Sequence, residues 1–409
     1  MTRTRALAAS IATLVASAIV VVAAPTANAV VIEPPRPAFY EAPATLPAAN
    51  GAVIRTEPMT FLLDPLNATS LVTNAKRVLY KTTNRAGRAI AVSGVVMVPK
   101  TAWIGVGSRP VIGFAAGTQG MGDRCAPSRQ YSEGLEYEGI AIQGLLNRGY
   151  AVAVTDYEGL GTAGIHTYMD RVSQGRAVLD VIRAAQQIAG TGLSVNSPVG
   201  IQGYSQGGGA AASAAELAAT YAPELRVKGV AVGAVPADLA AVATKLDGSL
   251  YSAFAFFALR GISASYGTDL TPYLNAKGVE TMTTVEQDCV FDLFGHAFVK
   301  SSTLSYNGKP MSDLIALPQF ATMIAEQRIG TIKPAMPVFV SHSTFDDVIP
   351  YSAGKGMAKS WCSKGANVRF SPTLIPTHVG GYVPFGVEAA LFFEARFAGL
   401  SQWSNCWAI

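Results

Sequence analysis

The chain has 409 residues, of which 50% are hydrophobic and 14% charged, with a net charge of +4. This charged share lies well below the ~25% of an average soluble domain, which excludes a disordered chain and, with only four cysteines, a small disulfide scaffold. Basic and acidic residues are interspersed without a run of either sign, so no nucleic-acid partner is expected.

The first 29 residues have the pattern of a secretory signal peptide. Arg3 and Arg5 precede an uncharged apolar run, and Ala27-Asn28-Ala29 is typical of a cleavage site. We therefore expect cleavage after Ala29 and an extracellular mature protein of residues 30–409. An uncleaved membrane anchor is the weaker alternative.

Export also decides how the cysteines are interpreted. Cys125, Cys289, Cys362 and Cys406 form an even set that would lie in an oxidising compartment, so two disulfide bonds are expected. Three pairings are possible at this point. None of the spacings is typical of a metal site, and we predict neither a metal nor a cofactor.

Strands and helices alternate along much of the chain. Two alternating runs at 78–83 and 88–98 flank a glycine-containing turn and predict a hairpin. Further strands are predicted at 111–114, 150–154, 199–201 and 227–232, and helices at 135–146, 172–188 and 208–219. This order, with nearly continuous apolar strands, predicts an α/β fold with a mostly parallel sheet covered by helices on both faces.

The regular alternation stops at Pro236 and resumes near residue 330. The intervening segment contains helix-like pieces without a clear strand, and one of them is rich in aromatic residues. Beyond it, strands at 337–340 and 368–370 are each followed by a predicted helix. We therefore expect residues 30–235 and 331–409 to form one sheet domain, and 236–330 to be a helical insertion.

Gly203-Tyr204-Ser205-Gln206-Gly207 matches the G-x-S-x-G motif. It lies between a predicted strand and a predicted helix, which is the context of a nucleophile elbow. Side chains at the two glycines would collide with neighbouring backbone, and the helix N-terminus favours developing negative charge. Ser205 is therefore the predicted nucleophile.

Four histidines could serve as the base for Ser205. In the fold class that uses this motif, the acid and then the histidine follow the serine along the chain, which excludes His166. His296 lies in the insertion, and His342 is interpreted as structural. His378, in the loop before the last predicted helix, is the predicted base.

The acid should follow a strand end between the serine and the histidine. Asp346 and Asp347 both come shortly after the strand at 337–340. Either could accept the Nδ1–H of His378, fix its tautomer and stabilise the imidazolium. The spacing does not choose between them, and the other carboxylate is expected to be a solvated loop group.

These motifs together resemble the secretory lipase family of α/β-hydrolases, found in fungi and actinobacteria. The most specific blocks run from Gly117-Thr118-Gln119-Gly120 to Cys125-Ala126-Pro127-Ser128, and over Asp156-Tyr157-Glu158-Gly159-Leu160-Gly161. The resemblance covers roughly residues 35–409. It implies the α/β-hydrolase fold, a helical cap or lid over 236–330 and lipase activity. It also favours Asp346 as the acid, since the family pattern Asp-x-x-Val/Ile-Pro ends at Pro350.

The resemblance further implies an oxyanion hole and a disulfide pairing. The backbone N–H groups of Gln206 and of the 117–119 loop, assigned to Thr118, would hold the oxyanion. Many family members carry Ala-His-Gly-Thr where this chain has Ala115-Ala116-Gly117-Thr118, so this loop lacks the side chain of that histidine but keeps its backbone N–H groups. The implied disulfides are Cys125–Cys289 and Cys362–Cys406.

A lipase cap would supply an acyl tunnel and transient contact with a lipid interface. The residues assigned to substrate binding are Tyr204, Phe254, Phe256 and Phe257. For the aromatics of the insertion, packing as an apolar helix is the structural alternative.

The leading function is thus a secreted carboxylic ester hydrolase, with a lipase acting on triacylglycerol or related lipid esters preferred. A cell-envelope acyltransferase would use the same acyl-enzyme with another acceptor. A catalytically inactive lipid-binding protein is the third alternative, and the complete Ser-Asp-His set argues against it. The sequence carries no expectation for the oligomeric state.

Overall fold

The computed structural model describes residues 36–61 and 73–409, so the expected signal peptide lies outside the described residues. Within those two ranges, no helix has the length and apolar character needed to cross a membrane.

One sheet dominates the described part of the chain, and its nine strands are β1 (Val53–Met59), β2 (Thr73–Thr83), β3 (Ala89–Pro99), β4 (Val111–Ala115), β5 (Ala151–Thr155), β6 (Val199–Tyr204), β7 (Val227–Gly233), β8 (Val338–Ser343) and β9 (Val368–Thr373). Their order is β1-β2-β3-β5-β4-β6-β7-β8-β9. The β1-β2-β3 meander is antiparallel and joins β5 in antiparallel fashion. From β5 to β9 all neighbours are parallel. The predicted hairpin and the mostly parallel sheet are confirmed.

The helices in the described residues are α1 (Pro127–Glu133), α2 (Gly139–Asn147), α3 (Arg171–Gln187), α4 (Gln206–Tyr221), α5 (Leu239–Leu246), α6 (Ser252–Tyr266), α7 (Ala276–Val285), α8 (Met311–Ile315), α9 (Pro318–Glu326), α10 (Tyr351–Ser363) and α11 (Tyr382–Phe397). Short 3₁₀ turns connect several of them.

Helices cover both faces of the sheet. A Cβ placed on Gly113 of β4 would meet Ile182 of α3, whereas one on Gly200 of β6 would meet Phe393 of α11. Gly200 is the register partner of Ile112, and neighbouring residues of a strand point to opposite faces. Glycines in the strands therefore let α3 and α11 pack closely on opposite sides.

The helix predicted at 135–146 is shorter than expected. Gly134 ends α1 in the left-handed conformation, and the chain turns through residues 135–138 before α2 begins at Gly139. Leu135, predicted as an apolar helix position, is exposed. The helix prediction was therefore wrong for residues 135–138. The apolar spacing gave no sign of this turn, in which the carboxylates of Glu136 and Glu138 bind the loop after β4.

Helices α5 to α9 lie between β7 and β8 in the chain and have an apolar cluster of their own. Phe256, Phe257 and Met282 belong to this cluster, together with Tyr168 and Val348 from the loops that follow β5 and β8. The helices of the 236–330 segment therefore pack on loops at the carboxyl ends of the parallel strands.

Both disulfide pairings implied by the resemblance are present. Cys125 is bonded to Cys289 and Cys362 to Cys406. The first bond links the segment after β4 to the helical segment, and the second links α10 to the C-terminal end of the chain.

Candidate active site

Ser205 occupies a strained turn between β6 and α4. Its φ of 59° and ψ of −123° place a non-glycine residue at positive φ, a conformation that costs on the order of 1–3 kcal/mol. A Cβ on Gly203 would lie 2.1 Å from the carbonyl oxygen of Gly207, and one on Gly207 would lie 2.0 Å from that of Ala115. The motif's glycines are therefore required by close backbone packing, which leaves the serine at the sheet's carboxyl edge.

The loops after β8 and β9 bring Asp346 and His378 together. Oδ2 of Asp346 lies 2.8 Å from Nδ1 of His378. Oδ1 accepts hydrogen bonds from the backbone N–H groups of Val348 and Ile349, at 2.9 and 2.7 Å. Burial raises the pKa of Asp346, but the hydrogen bonds from His342 and His378 outweigh it and hold this pKa below its ordinary value. The carboxylate is therefore ionised and can orient the imidazole.

Asp347 is not the solvated loop carboxylate that was expected. Its Oδ1 accepts the backbone N–H of His378 at 2.7 Å, and its Oδ2 accepts the hydroxyl of Tyr251 at 3.1 Å. The position after the strand did not choose between the two aspartates, and the resemblance favoured Asp346. In the structure Asp346 faces the histidine ring, and Asp347 holds the histidine backbone.

His378 also contacts the residue before the serine. The hydroxyl of Tyr204 donates to the carbonyl oxygen of His378 at 2.7 Å, and the two rings lie 5.2 Å apart. Tyr204 was expected to bind substrate, but it is buried and does not line the cavity beside Ser205. In the structure, Tyr204 instead connects the end of β6 to the loop that carries His378.

Two histidines that were set aside as bases support this site. His342 is buried, with Nε2 3.3 Å from Oδ2 of Asp346. His166 is fully buried, its Nδ1–H donates to the carbonyl oxygen of Glu158 at 2.9 Å, and its Nε2 accepts from the side chain of Gln206 at 3.1 Å. Burial lowers the pKa of His166 to about 4, so the ring is neutral at pH 7. The interval of four residues between His342 and Asp346 was the only sequence signal for either contact.

The expected oxyanion hole lies between α4 and the loop after β4. Among the described residues, no protein acceptor is found for the backbone N–H of Gln206 or of Thr118. The N–H of Gly117 is committed to Oε2 of Glu138 at 2.6 Å. Thr118 is held through its own hydroxyl, which lies 2.6 Å from that of Tyr168. The N–H of Thr118 is therefore free to donate to an oxyanion, whereas that of Gly117 is not.

An apolar cavity lies between Ser205 and the helical segment. Its volume is about 50 Å³, and none of the described residues that line it is charged. One face of α6 forms a wall, with Phe254, Ala258 and Ile262 at intervals of four residues. The other lining residues are Tyr168, Met169, Leu239, Val242, Ala243, Leu246, Ala255, Leu259, Ser263, Met311, Ile315, Phe320, Met323, Ile324, Val348 and Ile349.

Of the three phenylalanines assigned to substrate binding, only Phe254 lines this cavity. Phe256 and Phe257 are 1% and 0% exposed and belong to the packed core of the helical segment. The structure does not bring these two to the cavity wall, since the ring of Phe257 packs 6.1 Å from that of Phe254 and the ring of Phe256 lies 6.3 Å from that of His296. Within residues 36–61 and 73–409, no group of three His, Cys, Asp or Glu side chains converges as a metal site requires.

Comparison with known proteins places this site in a family. The Secretory lipase family model matches residues 127–405, more than half of the chain. A protein of Moesziomyces aphidis named "Lipase A" is 30% identical over 87% of this chain and 78% of its own length. A Mycobacterium tuberculosis protein named "Probable inactive lipase" is 29% identical over 88% of this chain and 82% of its own length.

Structural similarity leads to the same family. The X-ray structure of Candida antarctica lipase A in its closed state matches with a TM-score of 0.80 and 25% identity, covering 90% of this chain and 87% of that one. The chain therefore belongs to the secretory lipase family of α/β-hydrolases and is an ester hydrolase by fold and family.

Proposed function

We propose that this protein is an extracellular serine lipase that hydrolyses lipid esters with medium or long acyl chains. The observation that carries the proposal is the arrangement around Ser205. A serine at a strained elbow lines an uncharged apolar cavity, and the residue before it, Tyr204, is hydrogen-bonded to a histidine whose ring is held by an ionised aspartate.

In the first half of the reaction, Oγ of Ser205 attacks the ester carbonyl carbon while its proton passes to Nε2 of His378. The N–H groups of Gln206 and Thr118 donate to the oxyanion, and each such donor is typically worth about 10²–10³ in rate. Asp346 stabilises the imidazolium. His378 then gives the proton to the departing alcohol, and an acyl-serine remains.

In the second half, His378 takes a proton from water, and the hydroxyl oxygen attacks the acyl-serine carbonyl. Collapse of this intermediate releases the carboxylic acid and returns the proton to Ser205. No metal or cofactor takes part in either half. The same acyl-enzyme would serve an acyltransferase, so the acceptor, water or another alcohol, is what separates these two functions.

The substrate class follows from the cavity. An uncharged wall built from Phe254, Ala258 and Ile262 can solvate an alkyl chain but offers no partner to a charged or highly polar group. We assign the acyl chain to this cavity and the 236–330 segment to the cap that encloses it. Phe291, Phe294 and Phe298 of this segment are exposed and are assigned to contact with a lipid interface.

Extracellular location rests on the signal-peptide pattern of residues 1–29 and on membership of the secretory lipase family. Mass spectrometry of the protein exported by the native host tests the cleavage site, with an N-terminus at Val30 expected. A retained N-terminal segment on the exported protein would contradict it.

The direct test of function is hydrolysis of p-nitrophenyl esters from C2 to C16 alongside a triglyceride emulsion, using the wild type and Ser205→Ala. We expect release of free fatty acid, a preference for C8 or longer chains, and loss of both activities in Ser205→Ala. Activity confined to acetate would contradict a lipase. Transfer of the acyl group to an added alcohol in preference to water would favour the acyltransferase, and binding of lipid without turnover would favour an inactive protein.

A further inference from the structure

Three consecutive side chains hold the three residues of the oxyanion loop. Oε2 of Glu138 accepts the N–H of Gly117 at 2.6 Å, and Oε1 of Glu136 accepts from the side chain of Gln119 at 2.9 Å. Between them, the hydroxyl of Tyr137 donates to the carbonyl oxygen of Thr118 at 3.2 Å. We call Glu136, Tyr137 and Glu138 the 136–138 clamp.

The close fit of the clamp depends on glycine in the loop. A Cβ on Gly117 would lie 2.5 Å from the hydroxyl oxygen of Tyr137. The clamp residues belong to the turn between α1 and α2, where the sequence predicted a helix. The turn and the loop therefore run in opposite directions, with Glu138 bound to Gly117 and Glu136 bound to Gln119.

Neither glutamate has an ion-pair partner within the part of the chain that the structure describes. They are 0% and 1% exposed, and no lysine or arginine forms a salt bridge with either among the described residues. Oε2 of Glu136 accepts the backbone N–H of Glu138 at 2.9 Å, so the two buried side chains extend from one turn and bind residues two apart in the same loop.

The other titratable groups that face the two carboxyls are all acids. They are Tyr131 of α1, Tyr137 of the clamp, Tyr157 after β5 and Tyr382 at the start of α11. Two negative charges at this place would therefore face each other in a desolvated environment without a neighbouring cation. Burial raises the pKa of Glu138, and burial together with the charge of Glu138 raises that of Glu136.

We propose that the 136–138 clamp positions the N–H of Thr118 for the oxyanion, and that it holds only while Glu136 and Glu138 keep at least one proton between them. This proposal rests on the proposed ester hydrolysis at Ser205. The clamp residues touch the loop and not the substrate, so they are positioning residues. Loss of the shared proton at alkaline pH separates the carboxylates, releases Gly117 and Gln119, and displaces the donor.

The pH profile of kcat/KM for p-nitrophenyl butyrate tests the proposal, from pH 6 to 10, in the wild type, Glu138→Gln and Glu133→Gln. A glutamine at 138 can still accept the N–H of Gly117 but cannot ionise. We expect the wild type to lose about tenfold between pH 7.5 and 9.5, and Glu138→Gln to lose less than threefold. Glu133 is exposed at the end of α1, so Glu133→Gln should follow the wild type.

A second variant is independent of the glutamates and of their effect on folding. Tyr137→Phe removes only the hydroxyl that binds Thr118, from a ring that is 42% exposed. We expect kcat to fall three- to tenfold with KM unchanged and with the wild-type pH profile, because the loop is displaced without a change in ionisation.

The clamp would be overturned if Glu138→Gln kept the alkaline loss of the wild type, or if Tyr137→Phe kept its kcat. Failure of the proposed function looks different. A wild-type protein that shows no Ser205-dependent hydrolysis at pH 7.5 contradicts the function itself, whereas an active wild type with unaltered variants contradicts only the clamp.

Discussion

The carboxylate of Asp347 accepts the backbone N–H of His378 at 2.7 Å, while its neighbour Asp346 receives the ring Nδ1–H of the same histidine at 2.8 Å. Two consecutive carboxylates therefore fix the histidine by different groups, one through its backbone and one through its ring. Because Tyr251 also donates to Asp347, the helical segment is linked to the loop that carries the base.

The two aspartates should differ sharply on substitution. Asp346→Asn should lower kcat by about 10³–10⁴, since an amide favours the wrong tautomer of His378 and stabilises no imidazolium. Asp347→Asn should cost less than tenfold, because its amide oxygen can still accept the N–H of His378. Initial rates with p-nitrophenyl butyrate give both values, and an equal loss in the two variants would show that the acid is misassigned.

Enlarging one residue of the cavity wall should change the enzyme's preference for acyl-chain length. Ala258→Phe should fill the space between α6 and Ser205, reducing hydrolysis of a C16 ester at least tenfold more than that of a C2 ester. Ala264→Phe is the matched control, since Ala264 lies on the same helix and does not line the cavity. The same fall for both chain lengths, with an unchanged melting temperature, would place the acyl chain elsewhere.

Introducing a charge at Phe256, which lies in the core of the helical segment, should affect folding and not chain-length preference. Phe256→Asp would bury a carboxylate without a partner in the core of the helical segment. We expect it to lower the melting temperature and to reduce C2 and C16 hydrolysis together. A folded variant that lost only C16 hydrolysis would show that Phe256 contacts the acyl chain.

The two disulfides should separate stability from activity. Removing Cys362–Cys406, which spans 44 residues, should destabilise the protein by about 4 kcal/mol in the chain-entropy model with little effect on kcat. Removing Cys125–Cys289 should also lower kcat, because Val290 N–H donates to the carbonyl oxygen of Gln119 in the oxyanion loop at 2.7 Å. Thermal melts and rates of the two double Cys→Ser variants test this. An unchanged kcat without Cys125–Cys289 would show that this disulfide does not affect the oxyanion loop.

The stability of the protein should depend on pH through the buried glutamates. Raised pKa values mean that the folded state binds more protons than the unfolded chain above the ordinary glutamate pKa near ~4.3. Unfolding therefore becomes easier as pH rises through the folded pKa values. Denaturant melts from pH 6 to 9 should show a smaller decrease in the free energy of unfolding for Glu138→Gln than for the wild type. Parallel decreases would mean that Glu138 does not titrate in this range.

Asp346 contributes in the opposite direction. Its pKa is held low in the folded state, so the stabilisation is fully present above the unfolded pKa near ~4 and is lost as pH falls from there to the lower folded pKa. Asp346→Asn should therefore destabilise at pH 7 and do so less at pH 3. A stability difference from the wild type that is the same at pH 3 and pH 7 would contradict it.

The predictable parts of this site follow from local patterns. Ser205 sits in a five-residue motif between a strand and a helix, and the proposed acid and base follow it in the order expected for that motif. The contacts that sequence reasoning missed join distant segments. His166 reaches Gln206 only because β5 and β6 lie on either side of β4, and the clamp forms only because Gly134 ends α1 early. Helical spacing showed that α6 is apolar but not which face meets Ser205.

Fluorophosphonate labelling followed by peptide mapping tests the central claim most directly, because the probe reacts only with a serine activated by its base and oxyanion hole. We predict a stoichiometric adduct on Ser205 of the folded wild type at pH 7.5, no adduct in Ser205→Ala, and strongly slowed labelling in His378→Ala. A folded wild-type protein whose Ser205 remains unlabelled would contradict the account and would make the chain an inactive member of its family.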